Sequence, residues 1–205
     1  MVALLLKGMA QALTCVRSVV MSGGEILPKI TISGHPGSGT STLVRGICEF
    51  KGWSSLNGGD IFRQEAKNRG LTLSEFEKIC AEDETVDKSL DEILKNHILD
   101  ADGYEVLESR LCGWWAHNLD VGCVRLWLHA SEQARAERVV MREGLPLDEA
   151  ISNNKQRTAV DKLRFEEMYG LNPEDETPYT HIIDASQLDV EEVLAETLKI
   201  LEGIE

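Results

Sequence analysis

A short apolar run that leads into closely spaced glycines and then into a helical pattern constrains this chain more than any other feature. Residues 30–32 are β-branched and mostly apolar, which predicts a buried strand. Gly34, Gly37 and Gly39 follow within a few residues. Apolar residues then recur at positions 43, 44, 47 and 50, which is the spacing of one helix face. The order of strand, glycine loop and helix predicts a loop with an accessible backbone at the carboxyl end of a strand.

The glycines of this loop suit the binding of phosphate, because a phosphate approaches the backbone only where side chains are absent. The segment matches the P-loop pattern except that Thr40 stands where that pattern has lysine. Ser41 opens the predicted helix, and its hydroxyl is placed to bind Mg²⁺. The alternative is a glycine-rich turn that binds no ligand. The residues assigned to ATP binding are Gly34, His35, Pro36, Gly37, Ser38, Gly39, Thr40, Ser41 and Thr42, with Ser41 also assigned to the metal.

The net charge limits the possible partners. The 205 residues carry a formal charge of −14, which repels nucleic acid and anionic membrane surfaces over long distances. We therefore expect neither as a partner, and an anionic substrate has to be held by clustered arginines. The five cysteines contain no C-x-x-C pair, so we expect neither a disulfide framework nor a zinc site. The expected compartment is the reducing cytoplasm, and the expected state is a monomer.

Residues 1–27 precede the core and are treated as an N-terminal extension, with residues 28–205 as a single domain. The apolar stretch 2–6 is too short to span a bilayer and lacks the basic flank of a signal peptide. Two interpretations stay open. The segment is either a short helix lying on the domain or an upstream extension, with Met21 near the natural start.

Strand and helix patterns alternate from the glycine loop to the end of the chain. Further strands are predicted at 53–57, 103–110, 124–129 and 180–184. Helices are predicted after the caps Asp60, Thr72, Ser131 and Asp189, and over 86–98 and 147–169, with Gly52, Gly70 and Gly144 as helix ends. This alternation predicts an α/β fold, a parallel sheet covered by helices on both faces. Ligands of such sheets bind beyond the carboxyl ends of the strands.

Several arginines are grouped on predicted helices or follow predicted strands. Arg138 and Arg142 share a helix face, and so do Arg157, Asp161 and Arg164. One interpretation is a solvated charged face. We favour the other, in which these arginines meet an anion, because phosphoryl transfer depends on neutralising oxygen charge. For Arg135 we expect the solvated face. The pair Trp114 and Trp115 is expected in the core or in a pocket wall.

With these residues in place, the chain resembles the nucleoside monophosphate kinases, and most closely the archaeal-type cytidylate kinases. The matching segments are 34–42, 59–63, 107–111 with Gly113 and Trp114, 135–138 with 142–144, and 169–171. They span the chain from about residue 30 to its end in unbroken order. Members of this family commonly carry threonine where other P-loop proteins have lysine, and this chain resembles them in having Thr40 at that position.

The resemblance implies a P-loop NTPase core that binds ATP and Mg²⁺, with two insertions. These are an arm for the nucleoside monophosphate, about residues 60–99, and a mobile lid, about residues 138–165. By the same resemblance, Asp60, Arg63 and Arg110 would serve the acceptor nucleotide, with Asp60 in the outer shell of Mg²⁺. Arg157 and Asp161 would contact the acceptor from the lid, and Arg138, Arg142 and Arg164 would neutralise the transferring phosphoryl group.

Three positions depart from the family pattern. Ser109 replaces a usual glycine, Phe165 replaces a usual tyrosine, and residues 91–94 read Asp-Glu-Ile-Leu where Asp-Arg-Arg-Gln is common. The expected activity is an ATP-dependent cytidylate kinase, with CMP and also dCMP as acceptors. The alternatives are another nucleoside monophosphate kinase, acting on AMP or UMP, and a catalytically weak nucleotide-binding module.

Overall fold

Five parallel strands form one sheet. They are β1 (Ile30–Gly34), β2 (Ser55–Asn57), β3 (Val106–Glu108), β4 (Val124–His129) and β5 (His181–Asp184), in the spatial order β2-β3-β1-β4-β5. The computed structural model describes residues 28–203, so the predicted N-terminal extension lies outside the described residues. Strand β1 pairs with β3 on one side and β4 on the other, which places the glycine loop at the middle of the sheet's carboxyl edge.

Eight helices connect and cover the strands within residues 28–203. They are α1 (Thr40–Lys51), α2 (Gly58–Asn68), α3 (Leu73–Glu82), α4 (Glu84–Leu99), α5 (Cys112–Asn118), α6 (Glu132–Glu143), α7 (Leu147–Tyr169) and α8 (Val190–Glu202). The alternating α/β order and the parallel sheet confirm the predicted fold class.

Both faces of the sheet are covered by apolar side chains. On one face, Ile30 and Leu126 lie in a cluster with Ile47 of α1 and Leu201 of α8, and all four are fully buried. The other face holds Leu107 of β3 in a second cluster with α4, α5 and Phe165 near the end of α7. The C-terminal end of the long helix α7 is thereby packed on the same apolar cluster as α4.

Most predicted boundaries agree with the structure. Helix α7 and strand β4 have the predicted bounds, and Thr72 and Asp189 both form complete capping boxes. The predicted strands 53–57 and 103–110 are only three residues long each. Phe50 was predicted on the buried face of α1, but 66% of it is exposed, because it lies in the last turn of that helix.

One local prediction was wrong, and one helix was missed. Asp60 is not a helix cap: α2 begins earlier, and the Asn57 side chain accepts the capping hydrogen bond from the Asp60 backbone N–H at 2.8 Å. Helix α5 was not predicted at all. Its Trp115 is buried as expected, whereas Trp114 is half-buried and donates its indole N–H to the Asn172 carbonyl.

Candidate active site

The glycine loop between β1 and α1 is shaped by contacts that exclude side chains. A Cβ atom on Gly34 would lie 2.6 Å from Ser38 Oγ and 2.8 Å from the Leu128 carbonyl oxygen. Gly37 and Gly39 have φ values of 83° and 100°, a region that side chains disfavour. The loop therefore requires glycine at these positions, and its backbone is accessible to a ligand.

The start of α1 offers hydrogen-bond donors to an anion. Gly39 is its N-cap and has no side chain that could accept a hydrogen bond. The backbone N–H groups at the start of the helix are therefore not capped by a side chain. The buried Oγ atom of Ser38 has no hydrogen-bond partner among residues 28–203. Donors of both kinds suit phosphate oxygens, and the positive end of the helix dipole adds to the attraction. The loop thus fits the phosphates of a nucleotide.

The buried carboxylate of Glu108 lies beside this loop and was given no role in the sequence analysis. It ends β3 and accepts hydrogen bonds from the Thr40 hydroxyl at 2.5 Å and the Ser41 hydroxyl at 3.1 Å. Only 8% of Glu108 is exposed. The sequence signal for this residue was an acidic side chain at the end of an otherwise apolar strand. It could have placed Glu108 near the glycine loop, because the parallel strands β1 and β3 bring their carboxyl ends together.

An open cavity of about 440 Å³ adjoins these residues on the β2 side of the loop. Its lining includes Ser41, Asn57 and Glu108, together with Arg45 and Ser55. The hydroxyl and carboxylate oxygens on its wall are of the type that Mg²⁺ binds. Among residues 28–203, no group of three or more His, Cys, Asp or Glu side chains could hold a metal ion. A cation in this cavity would therefore complete its coordination with water and phosphate oxygens.

Two arginines of α6 donate hydrogen bonds to backbone carbonyl groups of the glycine loop. Arg138 donates to the Ser38 carbonyl at 2.7 Å and to the Ala185 carbonyl. Arg135 was expected on a solvated face, which is wrong: only 4% of it is exposed, and it donates to the Pro36 carbonyl at 3.4 Å. A Cβ on Gly37 would come within 2.9 Å of the Arg135 carbonyl oxygen. Burial lowers the pKa of both guanidinium groups, which still remain charged.

A chain of alternating charges joins this loop to α7 and α4. Arg110 donates to the Gly34 carbonyl and to the Asp161 carboxylate, both at 3.0 Å. Asp161 also lies 3.6 Å from Arg164, whose other terminal nitrogen is 3.0 Å from Asp87. Two arginines assigned to nucleotide binding are thus held by carboxylates in this state of the protein.

Other predicted site residues lie apart from this network. Arg63 forms an exposed ion pair of 2.6 Å with Asp60 on α2. Arg142 pairs with its neighbour Glu143 at the end of α6, and 62% of its side chain is exposed. Arg157 is exposed on α7. The structure therefore brings Arg110, Asp161 and Arg164 together and leaves Arg63, Arg142 and Arg157 at the surface.

His35, the second residue of the loop, contacts the segment that follows α7. Its Nε2 atom lies 3.1 Å from Glu174, which also binds Lys162 of α7 at 3.3 Å. The ring meets Trp127 edge-on at 5.1 Å. Burial, followed by the positive charge of Arg135, lowers the pKa of His35 despite the opposing effect of Glu174.

Curated relatives resemble this chain over most of its length. A cytidylate kinase of Haloarcula marismortui is 35% identical over 174 residues, covering 85% of this chain and 89% of the relative. A cytidylate kinase of Pyrococcus furiosus is 38% identical over 167 residues, covering 81% and 84%. A sequence profile described as an AAA domain matches residues 33–143, which include the glycine loop, Glu108 and Arg138.

Solved structures resemble the fold at low sequence identity. An uncharacterised protein from Eubacterium ventriosum has a TM-score of 0.65 at 14% identity, covering 84% of this chain and 97% of that one. A shikimate kinase from Acinetobacter baumannii has a TM-score of 0.55 at 14% identity, covering 88% and 96%. None of the helices within residues 28–203 combines the length and hydrophobicity needed to cross a bilayer.

Proposed function

The chain belongs to the cytidylate kinase family of P-loop proteins, and we propose that it transfers the γ-phosphoryl group of ATP to CMP, giving ADP and CDP. The observation that carries this proposal is similarity to cytidylate kinases over more than four-fifths of the chain, and the profile match of residues 33–143 contains the phosphate loop. A catalytically weak binding module is not favoured, because several curated relatives from different archaea are kinases.

ATP binds with its phosphates in the loop of residues 34–42. The first-turn N–H groups of α1 and the unpartnered Ser38 hydroxyl support this assignment, because they supply donors where no lysine is present. The Ser41 hydroxyl, which Glu108 holds in place by accepting its hydrogen bond, would bind Mg²⁺. When bound, the ion neutralises charge on the phosphate oxygens.

CMP binds on the side of α2 and α7. Arg110 and Arg63 hold its phosphate, while Asp161 and Arg157 contact the nucleoside from α7. Asp60 lies in the outer shell of the ion. The contacts of Arg110 support this arrangement, because they fix its guanidinium beside the carboxyl end of β1, next to the phosphate loop. The acidic character of the rest of the chain makes this local positive charge necessary.

In the transfer itself, an oxygen of the CMP phosphate forms a bond to the γ-phosphorus. The bond from that phosphorus to the oxygen bridging to the β-phosphate breaks, and ADP leaves with the electron pair. Arg138, Arg142 and Arg164 neutralise the charge on the transferring group. Arg142 reaches the site only when the segment of about residues 138–165 moves inward as a lid, because it is exposed in this state. Residues of about 60–99 form the arm for CMP.

The enzyme acts as a cytoplasmic monomer on small nucleotides, with neither nucleic acid nor a membrane as partner. The charge of −14 supports the exclusion of both polyanionic partners.

Measuring ADP release from MgATP with each common nucleoside monophosphate tests the proposed function. We expect CMP to give the highest kcat/KM, with dCMP next. Arg110→Ala should lower it, whereas Lys199→Ala, which removes an exposed positive charge on α8, away from the arm and the lid, should not. A rate that no monophosphate raises above the rate with ATP alone would contradict the proposal.

A further inference from the structure

The C-terminal end of α7 is bonded to α4 by two acidic side chains. Asp87 and Asp91 are four residues apart on α4 and therefore share a face. Asp87 pairs with Arg164 at 3.0 Å, and Asp91 accepts a hydrogen bond of 2.7 Å from the Tyr169 hydroxyl. Both bonds connect α4, in the proposed arm, to α7, most of which lies in the proposed lid.

The bond between Asp91 and Tyr169 is well enclosed. The second carboxylate oxygen of Asp91 accepts from the indole N–H of Trp115 at 3.3 Å, and the Trp115 and Tyr169 rings meet edge-on at 4.9 Å. Lys95 lies 4.1 Å above the centre of the Trp115 ring. Burial raises the pKa of Asp91 and also that of the Tyr169 hydroxyl. The hydroxyl therefore stays protonated and donates a hydrogen bond to Asp91.

The rest of α7 packs on α6 and is connected to the phosphate loop through side chains of other segments. Ala150 packs against α6, the Thr158 hydroxyl lies 3.3 Å from Arg135, and Lys162 binds Glu174, the partner of His35. One helix thus spans from α6, past the phosphate loop, to α4. A movement of α7 over the loop must either carry α4 with it or break the bonds at its C-terminal end.

We infer that Asp91 and Tyr169 are positioning residues whose hydrogen bond makes α7 close over ATP only together with α4. This inference rests on the proposed function, in which residues 60–99 form the arm for CMP, and adds that CMP draws this arm inward. While CMP is absent, α4 stays out and holds α7 back. Water then reacts only slowly with the γ-phosphoryl group in place of CMP, because the catalytic site is not completed around ATP alone. Neither residue touches a nucleotide in this scheme, and both act through the position of α7.

The test compares two rates for the full chain: ATP hydrolysis without CMP, and CDP formation with CMP. In Tyr169→Phe, the ring stays in place and only the hydroxyl is lost. We expect the ratio of hydrolysis to CDP formation to rise at least threefold over the wild type. A purely structural role would lower both rates in proportion and leave their ratio unchanged, and that outcome would overturn the inference.

Tyr104→Phe is the matched control, because Tyr104 lies in the same apolar cluster and its hydroxyl forms no hydrogen bond within residues 28–203. It should leave the ratio unchanged. Asp91→Ala should raise the ratio, and adding Tyr169→Phe to it should raise it no further, since Asp91→Ala already removes the bond to Tyr169, together with that to Trp115. Circular dichroism checks folding; if Asp91→Ala does not fold, Tyr169→Phe decides alone. A wild-type chain that forms no CDP would contradict the proposed function itself, whereas an active wild type with an unchanged variant ratio contradicts only this inference.

Discussion

The hydroxyl of Thr40 donates a hydrogen bond of 2.5 Å to Oε1 of Glu108, a residue 68 positions further along the chain. The Ser41 hydroxyl donates to the same carboxylate. Where other P-loops place a lysine ammonium, this chain therefore has a neutral hydroxyl bound to a buried acid. In the proposed function, the charge of ATP is therefore met by backbone N–H groups, by the ion and by arginines.

Replacing the carboxylate tests the part that Glu108 plays in holding the Ser41 hydroxyl for Mg²⁺. Glu108→Gln should raise the Mg²⁺ concentration needed for half-maximal activity by about 10-fold or more, the usual effect of removing a group that orients a metal ligand. The measurement is a Mg²⁺ titration at saturating nucleotides. Glu105→Gln is the control and should leave the titration unchanged, because Glu105 directly precedes the first residue of β3, whereas Glu108 is its last. An unaltered Mg²⁺ requirement in Glu108→Gln would remove Glu108 from the metal site.

The second prediction compares the losses of kcat caused by replacing Arg142 and Thr40. Arg142→Ala should lower kcat by about 10²-fold or more, because the transition state loses one charged contact. Thr40→Ala should lower it less, since Thr40 donates to Glu108 and carries no charge. Steady-state kinetics of both variants decide the order, with Lys199→Ala as the control for losing a positive charge at the surface. A larger loss in Thr40→Ala would give the hydroxyl a direct role in transfer.

Local signals in the sequence predicted most of the fold. Gly52 and Gly144 end their helices in the left-handed conformation, and Thr72 and Asp189 cap theirs, because such effects depend on neighbours within four residues. Helix α5 escaped prediction because it depends on the tertiary fold. A Cβ on Gly113 would come within 2.4 Å of the Tyr179 ring, so this helix packs closely on distant residues.

The candidate site was predictable only in part, for the same reason. The spacing of Asp161 and Arg164 on one helix face was readable from the sequence, and the structure brings these residues together with Arg110. The burial of Arg135 and the bond from Thr40 to Glu108 join residues far apart in the chain. No local spacing encodes such contacts, which form when β3 and α6 pack beside the glycine loop.

The lowered pKa of His35 predicts a pH dependence of stability. Burial and the nearby Arg135 and Arg110 disfavour the protonated ring in the folded protein, and Glu174 only partly opposes them. Between this lowered pKa and the value of about 6.5 in the unfolded chain, the unfolded chain binds more protons. The free energy of unfolding should therefore fall as the pH decreases below about 6.5 and through this window.

Urea unfolding of the wild type and His35→Gln at about pH 7.5 and about pH 5.5 measures this contribution. The wild type should lose more stability on acidification than the variant, because glutamine does not titrate. His35 lies in the loop assigned to ATP, so the readout is unfolding and not activity. Equal losses in both proteins would show that His35 titrates alike in the folded and unfolded chains.

The last prediction concerns Asp161, whose carboxylate lies between Arg110 at 3.0 Å and Arg164 at 3.6 Å. In the proposed complex, the phosphates of the nucleotides occupy these arginines, and the carboxylate becomes available to another donor. An ionised carboxylate only accepts hydrogen bonds, so on CMP it can meet the sugar hydroxyls or the exocyclic amine. We favour the sugar, because a lid helix that closes over the arm approaches the ribose before the edge of the base.

Asp161→Ala should therefore reduce kcat/KM for CMP more than for dCMP if the 2′-hydroxyl is one of the donors. The loss of such a charge-assisted bond is about 1.5–3 kcal/mol, which is roughly 10- to 150-fold. Removing Asp161 also frees Arg110 and Arg164, but this effect is common to both substrates and cancels in the comparison. Glu166→Ala, an exposed carboxylate on the same helix, is the control and should change neither value. Equal losses on CMP and dCMP would rule out reading of the 2′-hydroxyl, and no loss on either would limit Asp161 to pairing with the two arginines.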